Sequence, residues 1–176
     1  MGGFMRLLMA ISADGFVAKS EHDSMTWLGS LDKHIFRILS AVGGVCGIGR
    51  KSLACITTPL PWPGRTLIPL SSHGGIGGGT TLTEFYEVHP DAWLLGGQTL
   101  ALQAFELGYI SEVHLCRSTI KIGSGIPELL TAHLRSPCIL TVFKGVTVAD
   151  EELSVVVETY RGTGSIYRTR DRYMPS

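Results

Sequence analysis

Apolar positions in this chain fall into short runs of alternating strand and helix length, separated by glycine and proline. Residues 4–11, Phe-Met-Arg-Leu-Leu-Met-Ala-Ile, form a mostly apolar run followed by the turn signal Asp14-Gly15, which predicts a buried first strand. From Leu31 to Val42 the residues Leu31, Ile35, Ile38, Leu39 and Val42 recur at three- and four-residue steps, with Ser30 as N-cap and Gly43-Gly44 as the stop. That spacing predicts an amphipathic helix. Val45 to Ile48 reads as a short strand running into Gly49-Arg50-Lys51-Ser52, with a brief helix through Leu53 and Ile56. A rigid proline loop over 59–65 and a strand from Thr66 to Leu70 follow. Residues 73–81 hold five glycines and read as a loop.

The second half repeats the alternation. A short helix from Leu82, a strand over Ala92 to Leu95, the turn Gly96-Gly97 and a helix over Gln98 to Leu107 are expected, then a strand over Val113 to Thr119 and a βα turn near Gly123 to Pro127. Ile139 to Val148 and Leu153 to Tyr160, around Asp150-Glu151-Glu152, have the pattern of a terminal antiparallel hairpin. Together these elements predict an α/β fold with a mostly parallel central sheet, flanking helices and an antiparallel C-terminal edge. One domain over 1–161 and a polar, basic tail over 162–176 account for all 176 residues.

Charge and composition narrow the partners. Lys and Arg together number 15, as do Asp and Glu, so no global field draws nucleic acid or an anionic membrane, and a small molecule is the expected partner. Mean hydropathy is +0.24, yet no uncharged apolar run reaches the roughly 18 residues of a membrane span. The N-terminus has no secretory pattern, so a soluble cytoplasmic protein, monomer or homodimer, is expected. Cys46, Cys55, Cys116 and Cys138 lack paired spacing and read as buried thiols rather than disulfides or metal ligands; no metal is expected.

Two glycine turns carry candidate chemistry. Gly-Ile-Gly-Arg-Lys-Ser at 47–52 lies where a strand yields to a helix, so backbone N–H groups and two cations would meet a phosphate there; Arg50 interrupts what would otherwise approach a Walker loop. Leu-Leu-Gly-Gly-Gln-Thr at 94–99 repeats the architecture, and Ser71-Ser72 ends a third strand. Turns of this kind at the carboxyl ends of parallel strands converge on one crevice, which points to a dinucleotide. Asp32 stands near a helix start, where the macrodipole alone would favour it, but Trp27, Leu31 and Phe36 around it suit a flat ring. Arg65, after the proline loop, would hold an anionic end of the same ligand.

Read together, Ala10-Ile11 with 14–18, Met25-Thr26-Trp27, Asp32, Phe36, 48–52, Pro63-Gly64-Arg65, Leu70-Ser71-Ser72 and Leu95-Gly96-Gly97 resemble the dihydrofolate reductase superfamily from Met5 to Tyr160. The resemblance implies hydride transfer from NADPH to C6 of 7,8-dihydrofolate with protonation at N5, and an antifolate target. It implies that Asp32 holds the pterin and that Trp27 assists. Leu8, Met9, Lys33, Phe36, Leu60, Leu95 and Cys116 would line the substrate, with Arg65 on its carboxylate. Ala10, Val17, Ala18, Gly49, Arg50, Lys51, Ser52, Leu70, Ser71, Ser72, Gly96, Gly97, Gln98 and Thr99 would hold the cofactor. Residues 14–26 would form a loop closing over the site. This chain departs from the pattern in three places: Cys116 replaces the usual threonine, Lys33 an apolar contact, and the proline loop is about two residues longer. Ser12 to Ala18, Glu112 to Leu115 and 123–127 also resemble the riboflavin-pathway reductases of a ribosylamino-pyrimidine phosphate. A non-catalytic nucleotide-binding domain would keep the phosphate turns alone.

Overall fold

The computed structural model describes residues 2–40, 44–56, 62–71, 79–134, 139–145 and 153–161, without the side chains of 29–34, 143–145, 153, 154 and 161. Among the described residues, ten strands and four α-helices follow in the order β1 (Met5–Ile11), β2 (Phe16–Ala18), α1 (Gly29–Ser40), β3 (Val45–Gly49), α2 (Arg50–Ala54), β4 (Thr66–Ser71) and β5 (Thr80–Thr81). Then come α3 (Leu82–Val88), β6 (Trp93–Leu94), α4 (Gln98–Glu106), β7 (Ile110–Ser118), β8 (Ile126–Pro127), β9 (Ile139–Gly145) and β10 (Leu153–Arg161). A 3-10 turn over Thr26–Leu28 leads into α1.

Eight of the ten described strands form one sheet, β5-β4-β3-β6-β1-β7-β10-β9, and β2 pairs with β8 in a second. Every pair from β5 to β7 is parallel, while β10 runs antiparallel to both β7 and β9. Alternation along β1 shows why its apolar run is nearly continuous. Met5, Leu7 and Ile11 pack into a cluster with α3 and α4 on one face, and Leu8 packs with Ile35 of α1 on the other. A strand covered on both faces has no polar side to expose.

Several boundaries differ from the sequence expectation for identifiable reasons. Ile38 is 52 % exposed although Ile35 is fully buried; at about 100° per residue it lies roughly 80° from the middle of the Ile35–Leu39 stripe. Strand β7 starts at Ile110, because the polar residues Ser111 and Glu112 are satisfied within the fold: the Ser111 hydroxyl donates to the Gly3 carbonyl at 3.0 Å, and Glu112 meets the His114 ring. Thr80–Thr81, expected as loop, pairs with Leu70–Ser71, and Thr81 then opens α3 through a reciprocal cap with Glu84.

The largest correction concerns 123–127. Among the described residues no α-helix follows that turn, only a 3-10 turn over Thr131–His133; Ile126–Pro127 instead pairs antiparallel with Phe16–Ala18, inside the segment expected as one loop. Gly125 permits this, because a Cβ there would sit 2.2 Å from the Ala18 carbonyl oxygen. Asp14 secures the same junction, its carboxylate accepting from the Ser12 hydroxyl at 2.6 Å and the Gly123 amide at 2.8 Å. Expectations for Ser30 as cap, Leu31, Val42, Gly43, the prolines at 59 and 61, 73–78, Cys138, 146–148 and the 162–176 tail fall outside the described residues or side chains.

Candidate active site

The carboxyl ends of β1, β3, β4 and β6 open onto a cavity of about 1010 Å³, closed on one side by α1 and on another by residues 20–25. That volume is at the upper end of small-molecule sites. The strand ends supply its floor: Leu8, Met9 and Ala10 from β1, Ile48 and Gly49 from β3, Leu70 and Ser71 from β4, Leu95 after β6 and Cys116 from β7. Val17 and Ala18 of β2 face it, with Ile126 of β8 beside them.

Two glycine turns meet at one wall. The Leu95 amide donates to the Gly47 carbonyl at 2.9 Å and the Gly49 amide to the Gly96 carbonyl at 3.1 Å, so the end of β3 and the end of β6 are locked together. Gly96 has φ +85 and its peptide bond to Gly97 is cis. Gly97 is the N-cap of α4 with no side-chain cap, and a Cβ on it would lie 3.0 Å from the Ser52 hydroxyl. The first N–H groups of that helix, at Gln98, Thr99 and Leu100, thus border the cavity without a capping side chain. The Gln98 side chain turns away to brace the neighbouring loop, donating to the Pro127 carbonyl and accepting from the Leu129 amide.

Arg50, Lys51 and Ser52 line the same wall from α2. Lys51 pairs with Glu21 at 3.4 Å with both side chains largely exposed. Arg50 has its guanidinium laid against Gly79, where a Cβ would fall 2.3 Å from a terminal nitrogen, and it has no hydrogen-bonded acceptor among the described residues. Gly79 is therefore open ground that the arginine occupies.

Phe36, Arg37, Arg65 and Trp62 build the α1 side. Phe36 and Trp62 meet edge to face with ring centroids 5.3 Å apart. Arg65 is less free than an anion-binding group would be: its Nε–H donates to Ser40 Oγ at 2.6 Å, one terminal nitrogen to the Pro63 carbonyl at 2.9 Å and the other to the Arg37 carbonyl. Two of its five N–H groups have no acceptor among the described residues.

The sequence-predicted residues therefore converge. Leu8, Met9, Phe36, Arg65, Leu95 and Cys116 from the expected substrate set line the cavity, as do Ala10, Val17, Ala18, Gly49, Arg50, Lys51, Ser52, Leu70, Ser71, Gly96, Gly97, Gln98 and Thr99 from the cofactor set. Asp32 and Lys33 lie in α1 with side chains outside the description, and Leu60 and Ser72 are outside it altogether. Trp27 is the exception: it stands behind the wall, 9 % exposed, with its indole N–H donating to Asp23 Oδ2 at 2.8 Å. Cys55, expected buried, is partly exposed on the rim, whereas Cys46 and Cys116 are buried. Burial pushes the Cys46 thiol up to about 11 despite the nearby Arg65 and Arg6.

Sequence reasoning put Asp23 and Met25 in the expected closing loop 14–26 without a role for either, and missed Arg37 and Trp62. Arg37 is one helical turn beyond Lys33 and was open to the same helix reading, while Trp62 sits in the longer proline loop. Asp23 carries no signal in its own neighbourhood, since two of its three donors are backbone amides.

No protein-family model matches this chain, and no curated protein matches it. Among solved structures it is similar to the dihydrofolate reductase from Enterococcus faecalis complexed with NADP(H) and RAB-propyl, with a TM-score of 0.60 at 16% identity, covering 92% of this chain and 97% of that one. The fold is dihydrofolate reductase-like.

Proposed function

We propose that this protein reduces 7,8-dihydrofolate to tetrahydrofolate with NADPH. One observation supports the reading above the others: residues that the resemblance assigns to substrate and to cofactor line a single cavity of about 1010 Å³. The similar solved structure, in complex with NADP(H), agrees with a nicotinamide cofactor.

The cavity wall fits such a cofactor. An uncapped α4 N-terminus with Gly97 at its cap, the Ser52 hydroxyl beside it, and the cations Arg50 and Lys51 suit a pyrophosphate and a further phosphate. When bound, NADPH supplies the hydride to C6. Ala10, Val17 and Ala18 would flank the nicotinamide and exclude water from it.

The α1 wall would receive the pterin. Position 32 precedes Phe36 by four residues, about 40° around the helix axis, so the two positions share a helix face. Asp32 there would accept hydrogen bonds from the ring N–H groups and favour protonation at N5. Arg65, through its two uncommitted N–H groups, would meet the carboxylate of the tail.

Purified protein mixed with NADPH and dihydrofolate should lose absorbance at the cofactor's near-ultraviolet band, and Asp32→Asn should lower that rate at least tenfold. Protein that binds NADPH but leaves dihydrofolate untouched refutes the folate reading. Turnover of a ribosylamino-pyrimidine phosphate in a parallel reaction would then identify the other branch of the fold, and binding without any turnover a nucleotide-binding domain.

A further inference from the structure

We propose that Asp23 is a positioning residue: its carboxylate sets Met25 and Trp27, and with them the wall formed by residues 20–25, against the substrate ring. Three donors from three separate points converge on it. Oδ2 accepts from the Lys19 amide at 2.6 Å and the Trp27 indole N–H at 2.8 Å, and Oδ1 accepts from the Met25 amide at 2.9 Å. Asp23 and Met25 both line the cavity; Trp27 stands behind them.

Met25 is where this arrangement matters. With φ +58 it is the sole non-glycine residue with positive φ among the described residues, a conformation disfavoured by roughly 1–2 kcal/mol for an L residue. Its amide is held by Asp23, and its carbonyl accepts from the Leu28 amide at 3.2 Å to begin the 3-10 turn that enters α1. One carboxylate thus connects the loop wall to the helix that carries Asp32 and Phe36. Partial burial acts to raise the Asp23 pKa, but the Lys19 and Met25 amides and the Trp27 indole outweigh it and hold the group below the ordinary aspartate value. It therefore stays an acceptor at neutral pH. Asparagine could keep one acceptor oxygen but would turn an N–H₂ group toward N–H donors that have no other partner in this turn.

The proposal rests on the reductase reading only for its kinetic readout. Full-length Asp23→Asn, Trp27→Phe and the double variant are compared with the unaltered protein by amide hydrogen exchange and by steady-state kinetics with NADPH and dihydrofolate. Asp23→Asn should speed exchange at Lys19 and Met25 and lower kcat/KM by about tenfold or more, the loss expected for a charge-assisted bond. Trp27→Phe removes one donor and leaves the fold's main core intact, so it should cost less; the double variant should fall no further than Asp23→Asn, because the two residues act as one unit. Unchanged protection at Lys19 and Met25, faster exchange with unaltered kcat and KM, or additive losses in the double variant would each overturn the proposal. If the unaltered protein reduces no dihydrofolate, the function reading falls by itself. Amide exchange then decides the positioning role by itself, and an Asp23→Asn variant with unchanged protection at Lys19 and Met25 overturns it.

Discussion

Replacing Arg65 by alanine separates two roles that its guanidinium combines. In the protein without ligand, that group joins the last turn of α1 to the turn before β4 through Ser40 Oγ at 2.6 Å, the Pro63 carbonyl at 2.9 Å and the Arg37 carbonyl. Ser40 is fully buried and itself donates to the Phe36 carbonyl at 2.6 Å. Carbonyls in the last turn of a helix lack intrahelical donors, and a cation there also meets the negative end of the dipole. A hydrogen bond to a charged group contributes roughly 1.5–3 kcal/mol. The Pro63 and Arg37 carbonyls are exposed, so water replaces the arginine there, and the buried Ser40 bond dominates. Arg65→Ala should thus cost about 1.5–3 kcal/mol, or roughly 3–12 °C in Tm for a chain of this length. The assay is a thermal melt without ligand. A residue that served only the substrate would raise KM and leave this melt unchanged. A Tm within about 1 °C of the unaltered protein would therefore refute the reasoning. Arg65→Lys keeps the charge but cannot reach three acceptors in a plane, and should recover only part of the loss.

Gly125→Ala should unpair β2 from β8, because its Cβ would fall 2.2 Å from a backbone oxygen that cannot swing aside; weaker NADPH binding, through Val17 and Ala18, is the readout, and unaltered affinity would contradict it. The Asp14 carboxyl is held down at about 2, chiefly by the Ser12 hydroxyl and further by the Gly123 and Ile122 amides. The shift is downward, so its hold on the 122–123 turn is complete above about pH 4 and is lost as pH falls through about 2. Asp14→Asn should abolish the acid dependence of Gly123 amide exchange, and an unaltered acid profile would count against it. Lys51→Met should move Tm by less than about 2 °C, since an exposed pair contributes little, yet weaken NADPH binding most at low salt; equal affinity at low and high salt would remove Lys51 from the phosphate wall. Thiol labelling of the native protein should reach Cys55 quickly and leave Cys46 unmodified, its thiol being buried and protonated; rapid loss of Cys46 would be inconsistent with the packing.

How much of this was legible in the sequence depended on the range of the interaction. The parallel strands were readable because burial on both faces leaves near-continuous apolar runs, as at Met5–Ile11, and α1 was readable from its three- and four-residue spacing. The glycine turn at 96–97 was readable because a positive φ at Gly96 and the close approach of Ser52 at Gly97 leave few alternatives to glycine. The pairing of Phe16–Ala18 with Ile126–Pro127 was not: strands of two and three residues carry no period, and their meeting depends on a glycine more than one hundred positions away in the sequence. Arg65 was legible as a cation beside the cavity, but its ties to Ser40 and Arg37 depend on the end of α1 lying against that turn. Asp23 was illegible for a related reason, since two of its partners are amides that any residue would supply.

The position of the cavity itself follows from strand order. Strand β1 leads through α1, on one face of the sheet, toward β3; its neighbour β6 leads through α4, on the other face, to β7. At adjacent strands the chain leaves in opposite directions, and a crevice opens between the two exits. The β1 exit is the segment that carries Asp23 and Met25, and the β6 exit is the Gly96-Gly97 turn that starts α4. One lip is thus built from side chains fixed by a carboxylate, the other from bare backbone at a helix N-terminus. Backbone N–H groups suit phosphate of any origin, so under the proposed function the α4 lip would select a class of cofactor. The choice of a second reactant would then fall to the opposite lip and to α1, where Phe36 and Arg37 line the cavity and Arg65 lies against the helix end. Substitutions on the α4 side should therefore change cofactor affinity across all substrates alike, whereas those at Asp23, Arg37 or Arg65 should change the ranking of one substrate against another.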